Sequence, residues 1–124
     1  MSIRLDLESV PDVALGYASG PMSLDQIKDA ARAVWARVEG PRVRALWDIR
    51  DAEFDISGTQ VRELAEWVKQ ESTFEDMRTA FVVRHGLQFG LMRMYEVLRE
   101  EPRAKTGVFT EREPALAWLR AEVS

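Results

Sequence analysis

The stretch "TAFVV", residues 79–83, decides the fold. Side chains alternate across a strand, so one with water on one side alternates apolar and polar residues. A strand that is apolar on both faces is covered on both. TAFVV therefore predicts a central strand packed on two sides. Upstream, "VRALWDI" (43–49) reads as another strand, with its charges pushed toward the ends. Downstream, "TGVFT" (106–110) reads as a shorter one.

Between these strands the apolar period changes from two to near 3.6. Val61, Leu64, Ala65 and Val68 mark one helix. Leu91, Met94, Tyr95 and Leu98 mark another over Leu87 to Arg99. Ala115, Leu116 and Leu119 mark a last one. Earlier in the chain, Leu24, Ile27, Ala31, Val34, Trp35 and Val38 share one helical stripe that begins at Ser23 and is ended by Gly40-Pro41. Before it, "IRLDL" (3–7) and "VALGYA" (13–18) are strands joined at Pro11-Asp12, and "ASGPM" (18–22) reads as a loop. The predicted order is β-β-α-β-α-β-α-β-α in a single domain over residues 1–124. It is an α/β fold with a mixed five-stranded sheet, its later strands parallel and right-handed in their connections.

Composition bounds the function. The 124 residues are 46% apolar and 31% charged, as in an ordinary globular domain. The formal net charge is −4, and the 17 Lys and Arg form no basic run, which argues against nucleic acid or an anionic membrane as partner. There is no cysteine and a single histidine, His85, so neither a disulfide framework nor a zinc site is expected. The first residues, "MSIRLDLESV", lack the apolar core of a signal peptide, and no apolar run reaches the ~20 residues of a membrane span. A cytoplasmic bacterial protein without a cofactor is the expectation.

The order and length resemble the STAS domain, the fold of anti-sigma-factor antagonists. The nearer resemblance is to a branch of small stand-alone bacterial proteins likened both to those antagonists and to Sec14-type lipid-binding domains. The residues that carry it are "LWDIR" (46–50), "AFVV" (80–83), "FGLMRMYE" (89–96), and "VF" (108–109) followed by "ALAWL" (115–119). The resemblance implies a non-enzymatic regulatory or ligand-binding module. Its ligand would be anionic or lipid-like, or it would dock a partner protein. A homodimer stays open.

In the antagonists a serine at a strand–helix junction is phosphorylated. Here Asp55-Ile56-Ser57-Gly58 keeps an Asp, a Ser and the Gly, with isoleucine where a serine would stand. Ser57 is thus the candidate phosphorylation site, but its position three residues before Gln60 is also that of a capping box. The same spacing recurs at Ser23 with Gln26 and at Thr110 with Glu113. Capping accounts for Ser57 without a switch, while a helix N-terminus would still tolerate a phosphate.

In open α/β sheets ligands gather beyond the carboxyl ends of parallel strands. Those ends carry Asp48 and Arg50, then Arg84 and His85, with Phe89 one turn into the following helix. Provided Asp48, Asp51 and Glu53 leave the arginines free, these residues would bind an anion. The alternative is a small enzyme in which His85 and Asp48 act as base and orienting partner. No nucleophile elbow or phosphate loop accompanies them. Trp67, about 240° from Val61 at 100° per residue, lies off its helix's apolar stripe, so either a partner surface or packing under the "ESTFEDM" segment accounts for it.

Overall fold

The computed structural model describes residues 2–54 and 56–121; Asp55 lies outside them. The elements follow the expected order. They are β1 (Ser2–Asp6), β2 (Ala14–Met22), α1 (Leu24–Trp35), β3 (Arg42–Phe54), α2 (Gly58–Glu71), β4 (Asp76–Val82), α3 (Leu87–Leu98), β5 (Ala104–Phe109) and α4 (Arg112–Arg120). The sheet runs β1-β2-β3-β4-β5, antiparallel at β1–β2 and parallel from β2 onward.

This strand order places the layers. Three right-handed crossovers between successive neighbours put their helices on one face of the sheet. There α1, α2 and α3 cover a core that includes Ile49, Val61, Leu64, Met77, Met92 and Tyr95. The other face is left to α4, whose Ala115 and Leu119 pack on Val13, Leu15, Leu46, Ala80 and Val82. Ala80 and Val82 are fully buried toward α4, and Val83 is 1% exposed in the opposite core. The reading of TAFVV as a strand covered on two sides is borne out.

Several boundaries differ from the sequence reading: α1 stops at Trp35, leaving Val38 beyond it, β4 begins at Asp76 and β5 at Ala104. "ASGPM" is not a loop: β2 shifts register between Tyr17 and Ser19 and continues to Met22, pairing with β3 as far as Phe54. The cause is the length of β3, 13 residues, which offers β2 a parallel partner well beyond Ile49. β1 reaches only to Ser19, so Pro21 stands where β2 has no outer neighbour and its missing N–H removes no ladder bond.

The helix starts follow their caps. Ser57 Oγ accepts from the Gln60 N–H at 3.2 Å, and Gln60 Oε1 accepts from the Ser57 N–H at 3.0 Å. Ser23 and Gln26 form the same box. Thr110 does not: the chain stays extended through Glu111, which is the cap residue of α4 and makes no side-chain cap bond. Two helices, not three, open with a capping box.

Candidate functional site

The residues expected at the carboxyl end of the sheet do gather there, but they turn largely on one another. Asp48 and Arg50 lie two apart on β3, where its pairing with β2 slips by one residue, and Arg50 donates Nε to Asp48 Oδ1 at 3.0 Å and Nη2 to Oδ2 at 2.8 Å. The Arg50 backbone N–H adds a third bond at 3.2 Å. Burial pushes the Asp48 carboxyl up, and these bonds outweigh it, so its pKa falls below the usual value. The condition that the arginines stay free therefore fails for Arg50.

Arg84 is engaged as well. Its Nη2 donates to the Ala52 carbonyl at 3.0 Å. Beside it Gln88, 4% exposed, accepts from the Arg84 N–H at 3.0 Å and donates to the carbonyls of Ile49 at 2.9 Å and Ala52 at 2.8 Å. Gln88 was not singled out in the sequence; the sign available was a polar residue among apolar ones at the start of α3. His85 is exposed, its ring stacked near Phe89 with centroids 6.4 Å apart and planes at 27°. Gly86, with φ +91°, turns the chain into α3 without a side-chain cap. Ser57 is exposed at the start of α2, its Oγ serving the Gln60 N–H.

Trp67 belongs to the packing between α1 and α2. Its ring stacks on Trp35 with centroids 5.4 Å apart and planes at 19°. Arg32 and Lys28 of α1 lie 4.9 and 5.6 Å from the ring centroid, where a cation meets the negative π-face. Phe74 meets the far partner, Trp35, edge-on at 6.5 Å.

Two cavities are lined by none of the strand-end candidates. One opens at the amino end of the sheet. The other is a partly open chamber of about 80 Å³ between the sheet and α1–α3. Its existence follows from small side chains: α1 presents Ala30 and Ala31, and β2 and β3 present Ala18 and Ala45. Bulk returns at the rim through Trp35, Trp47, Phe81, Met92 and Tyr95. Gly16 helps to set its floor, because Trp47 lies flat across it. The side chains that line the chamber are apolar apart from Thr79, the Tyr95 hydroxyl and two indole N–H groups, and no carboxylate, imidazole, amine or guanidinium is among them. Burial pushes the Tyr95 hydroxyl pKa up, so it stays neutral. Among the described residues no cluster of three or more His, Asp or Glu suited to a metal ion occurs, and no helix is long and apolar enough to cross a membrane.

No protein-family model matches the chain, and no curated protein matches it. Among solved structures it is similar to an uncharacterized protein of the DUF3478 family from Shewanella loihica, described as having a SpoIIAA-like fold. That likeness has a TM-score of 0.64 at 21% sequence identity and covers 94% of this chain and 93% of the other. The five-stranded mixed sheet and four helices described above are thus a SpoIIAA-like, STAS-like fold.

Proposed function

We propose that this chain is a binding module without turnover, which takes an apolar or amphipathic small molecule into the chamber between α1 and the sheet. The observation that carries the reading is the chamber's lining. An apolar cavity is poorly hydrated, and a complementary apolar group gains by entering it. At about 80 Å³ the space exceeds the ~10–15 Å³ that a single water needs and suits a ring or the end of a hydrocarbon chain. No carboxylate, imidazole, amine or guanidinium lines it, and its one titratable group, the Tyr95 hydroxyl, is kept neutral by burial, which favours a guest that is held and not transformed. The lipid-like arm of the sequence expectation finds support here, on the sheet face under α1–α3 and not at the residues Asp48, Arg50, Arg84, His85 and Phe89. A STAS-like fold by itself would leave the activity open.

Native mass spectrometry of protein purified from cells tests the reading, together with a titration of benzene and decanoate followed at the Met77 and Met92 methyl resonances. Saturable shifts at both methyls are expected. They should be abolished in Ala31→Leu, which fills the space from the α1 side. A clean apo mass together with unmoved methyls would overturn the proposal.

A further inference from the structure

At the amino ends of β2 and β3 a recess of about 660 Å³ opens between the β1–β2 turn, the end of α1, the start of β3 and the end of α4. Four arginines line it, Arg37, Arg42, Arg44 and Arg120, against two carboxylates, Asp12 and Glu39. Apolar wall comes from Leu7, Val13, Val38 and Leu119. This concentration of positive charge stands in a chain whose net charge is −4.

Arginine at this end has a structural use that must be weighed first. The crossover helices run against the parallel strands, so their carboxyl ends and unpaired carbonyls point here. Arg78 serves α4 in this way, donating to the carbonyls of Trp118 at 2.8 Å and Ala121 at 3.1 Å. A helix C-terminus carries about half a negative charge, so α1 and α4 together return about one. The four lining arginines exceed the two carboxylates by two. Behind them Asp76 is held by Arg44 at 2.9 Å and approached by Arg42 at 3.8 Å, and the charge of Arg78 close by offsets that of Asp76 in the local sum. Among the described residues the recess stays cationic after its structural duties are met.

Arg44 is the built element of the site. Its side chain is 5% exposed, and it donates to the Asp76 carboxylate at 3.1 and 2.9 Å and to the Val43 carbonyl at 3.0 Å. Its Nε is buried and has no partner among the described residues. Buried donors are nearly always satisfied, and a guanidinium is best satisfied by two oxygens of an anion. Asp76 supplies that pair, and the Nε is closed off from solvent, so Arg44 lends its charge to the wall while the exposed Arg42 and Arg120 are the arginines open to an anion.

We propose that this recess is an anion site for a small organic carboxylate or phosphate on an apolar body. Arg42 and Arg120 would receive the oxygens with the charge of Arg44 behind them, and Leu7, Val38 and Leu119 would receive the body. It is separate from the apolar chamber and does not depend on what that chamber holds.

The test titrates phenyl phosphate, benzoate, inorganic phosphate and neutral benzyl alcohol into the full ¹⁵N-labelled chain. The readouts are the arginine Nε–H resonances and the amides of Asp12, Val38 and Val43. Saturable millimolar shifts with phenyl phosphate or benzoate, and none with benzyl alcohol, are expected; whichever anion binds more tightly names the headgroup. Arg42 and Arg120 are exposed, so Arg42→Gln with Arg120→Gln leaves the fold intact and should weaken binding by about tenfold. No shift with either organic anion would overturn the proposal. So would inorganic phosphate binding as tightly as phenyl phosphate, or affinity unchanged in the double variant. The Met77 and Met92 methyls report the chamber separately, so failure of one site is not failure of the other.

Discussion

Asp48 and Arg50 hold each other two residues apart on β3, two guanidinium N–H groups on two carboxylate oxygens at 3.0 and 2.8 Å. Asp48 is 12% exposed and Arg50 38%. The pair is thus sheltered enough to matter and open enough to be screened in part. It answers the sequence expectation of a free cationic strand end, because an acid two residues back on β3 takes the arginine.

A pH dependence follows from this pair. The Asp48 pKa is lowered on folding from its ordinary 3.8. A lowered carboxylate contributes stability that is fully present above the unfolded value and is lost as the pH falls through the folded one. Asp48→Asn should therefore cost about 1 kcal/mol at neutral pH. The difference from the parent should shrink in the acid range below 3.8. Urea unfolding at a series of pH values measures this, and an Asn penalty that did not change with pH would refute the electrostatic account.

The caps separate cleanly. Ser57→Ala removes the acceptor for the Gln60 N–H and should cost about 1 kcal/mol, with Ser23→Ala similar. Thr110 makes no cap bond to α4, so Thr110→Ala should lie within about 0.5 kcal/mol of the parent. Chemical denaturation of the three variants side by side is sufficient. Equal losses at Ser57 and Thr110 would contradict the observed start of α4.

Gly16 faces the Trp47 ring so closely that an added Cβ would lie 2.3 Å from one ring carbon and 2.4 Å from the next. Neither a strand backbone nor a packed indole gives way by that much. Gly16→Ala should cost about 1–3 kcal/mol as overpacking. Because Trp47 also lines the apolar chamber, its displacement should change that chamber's affinity for apolar probes. A thermal melt paired with the decanoate titration reads both effects.

Trp67 joins α1 to α2 through its stack on Trp35. Removing a half-buried indole and its two cation partners in Trp67→Ala should cost about 2–3 kcal/mol, at or below the lower end of the range for buried aromatics. The near-ultraviolet circular dichroism of the stacked pair should fall with it. An unchanged spectrum would mean that the rings do not couple in solution.

The sequence carried the fold because its signals were local and repeated. TAFVV, the helical stripes and the two serine boxes each report a short span that the structure keeps. The end of β3 was not legible, since Ala52 and Glu53 are ordinary loop residues until β2 is known to run beside them. Thr110 has the spacing of a cap, yet whether a helix starts one residue later is settled by how β5 leaves the sheet. At the candidate site, the residue types at the strand ends were correctly placed, but their pairing was not: Arg50 with Asp48, and Arg84 with the Ala52 carbonyl. The apolar chamber was invisible for another reason. It arises from alanines on elements far apart in the chain, and no local pattern distinguishes a small residue that packs tightly from one that leaves space.

The overhang of β3 bears on how copies of this chain treat one another. Pairing with β4 stops at Asp48, so on that side the residues beyond it have no strand beside them among the described residues, although β2 still pairs with them on the other. Such a row is a template for another molecule's strand, the usual beginning of edge-to-edge aggregation. Gln88 and Arg84 occupy it instead, taking the carbonyls of Ile49 and Ala52 with side chains. Gln88 in the first turn of α3 and Arg84 just before it thereby stand where a further strand would pair, and they add to the charges of Arg50, Asp51 and Glu53 in keeping another chain off this edge.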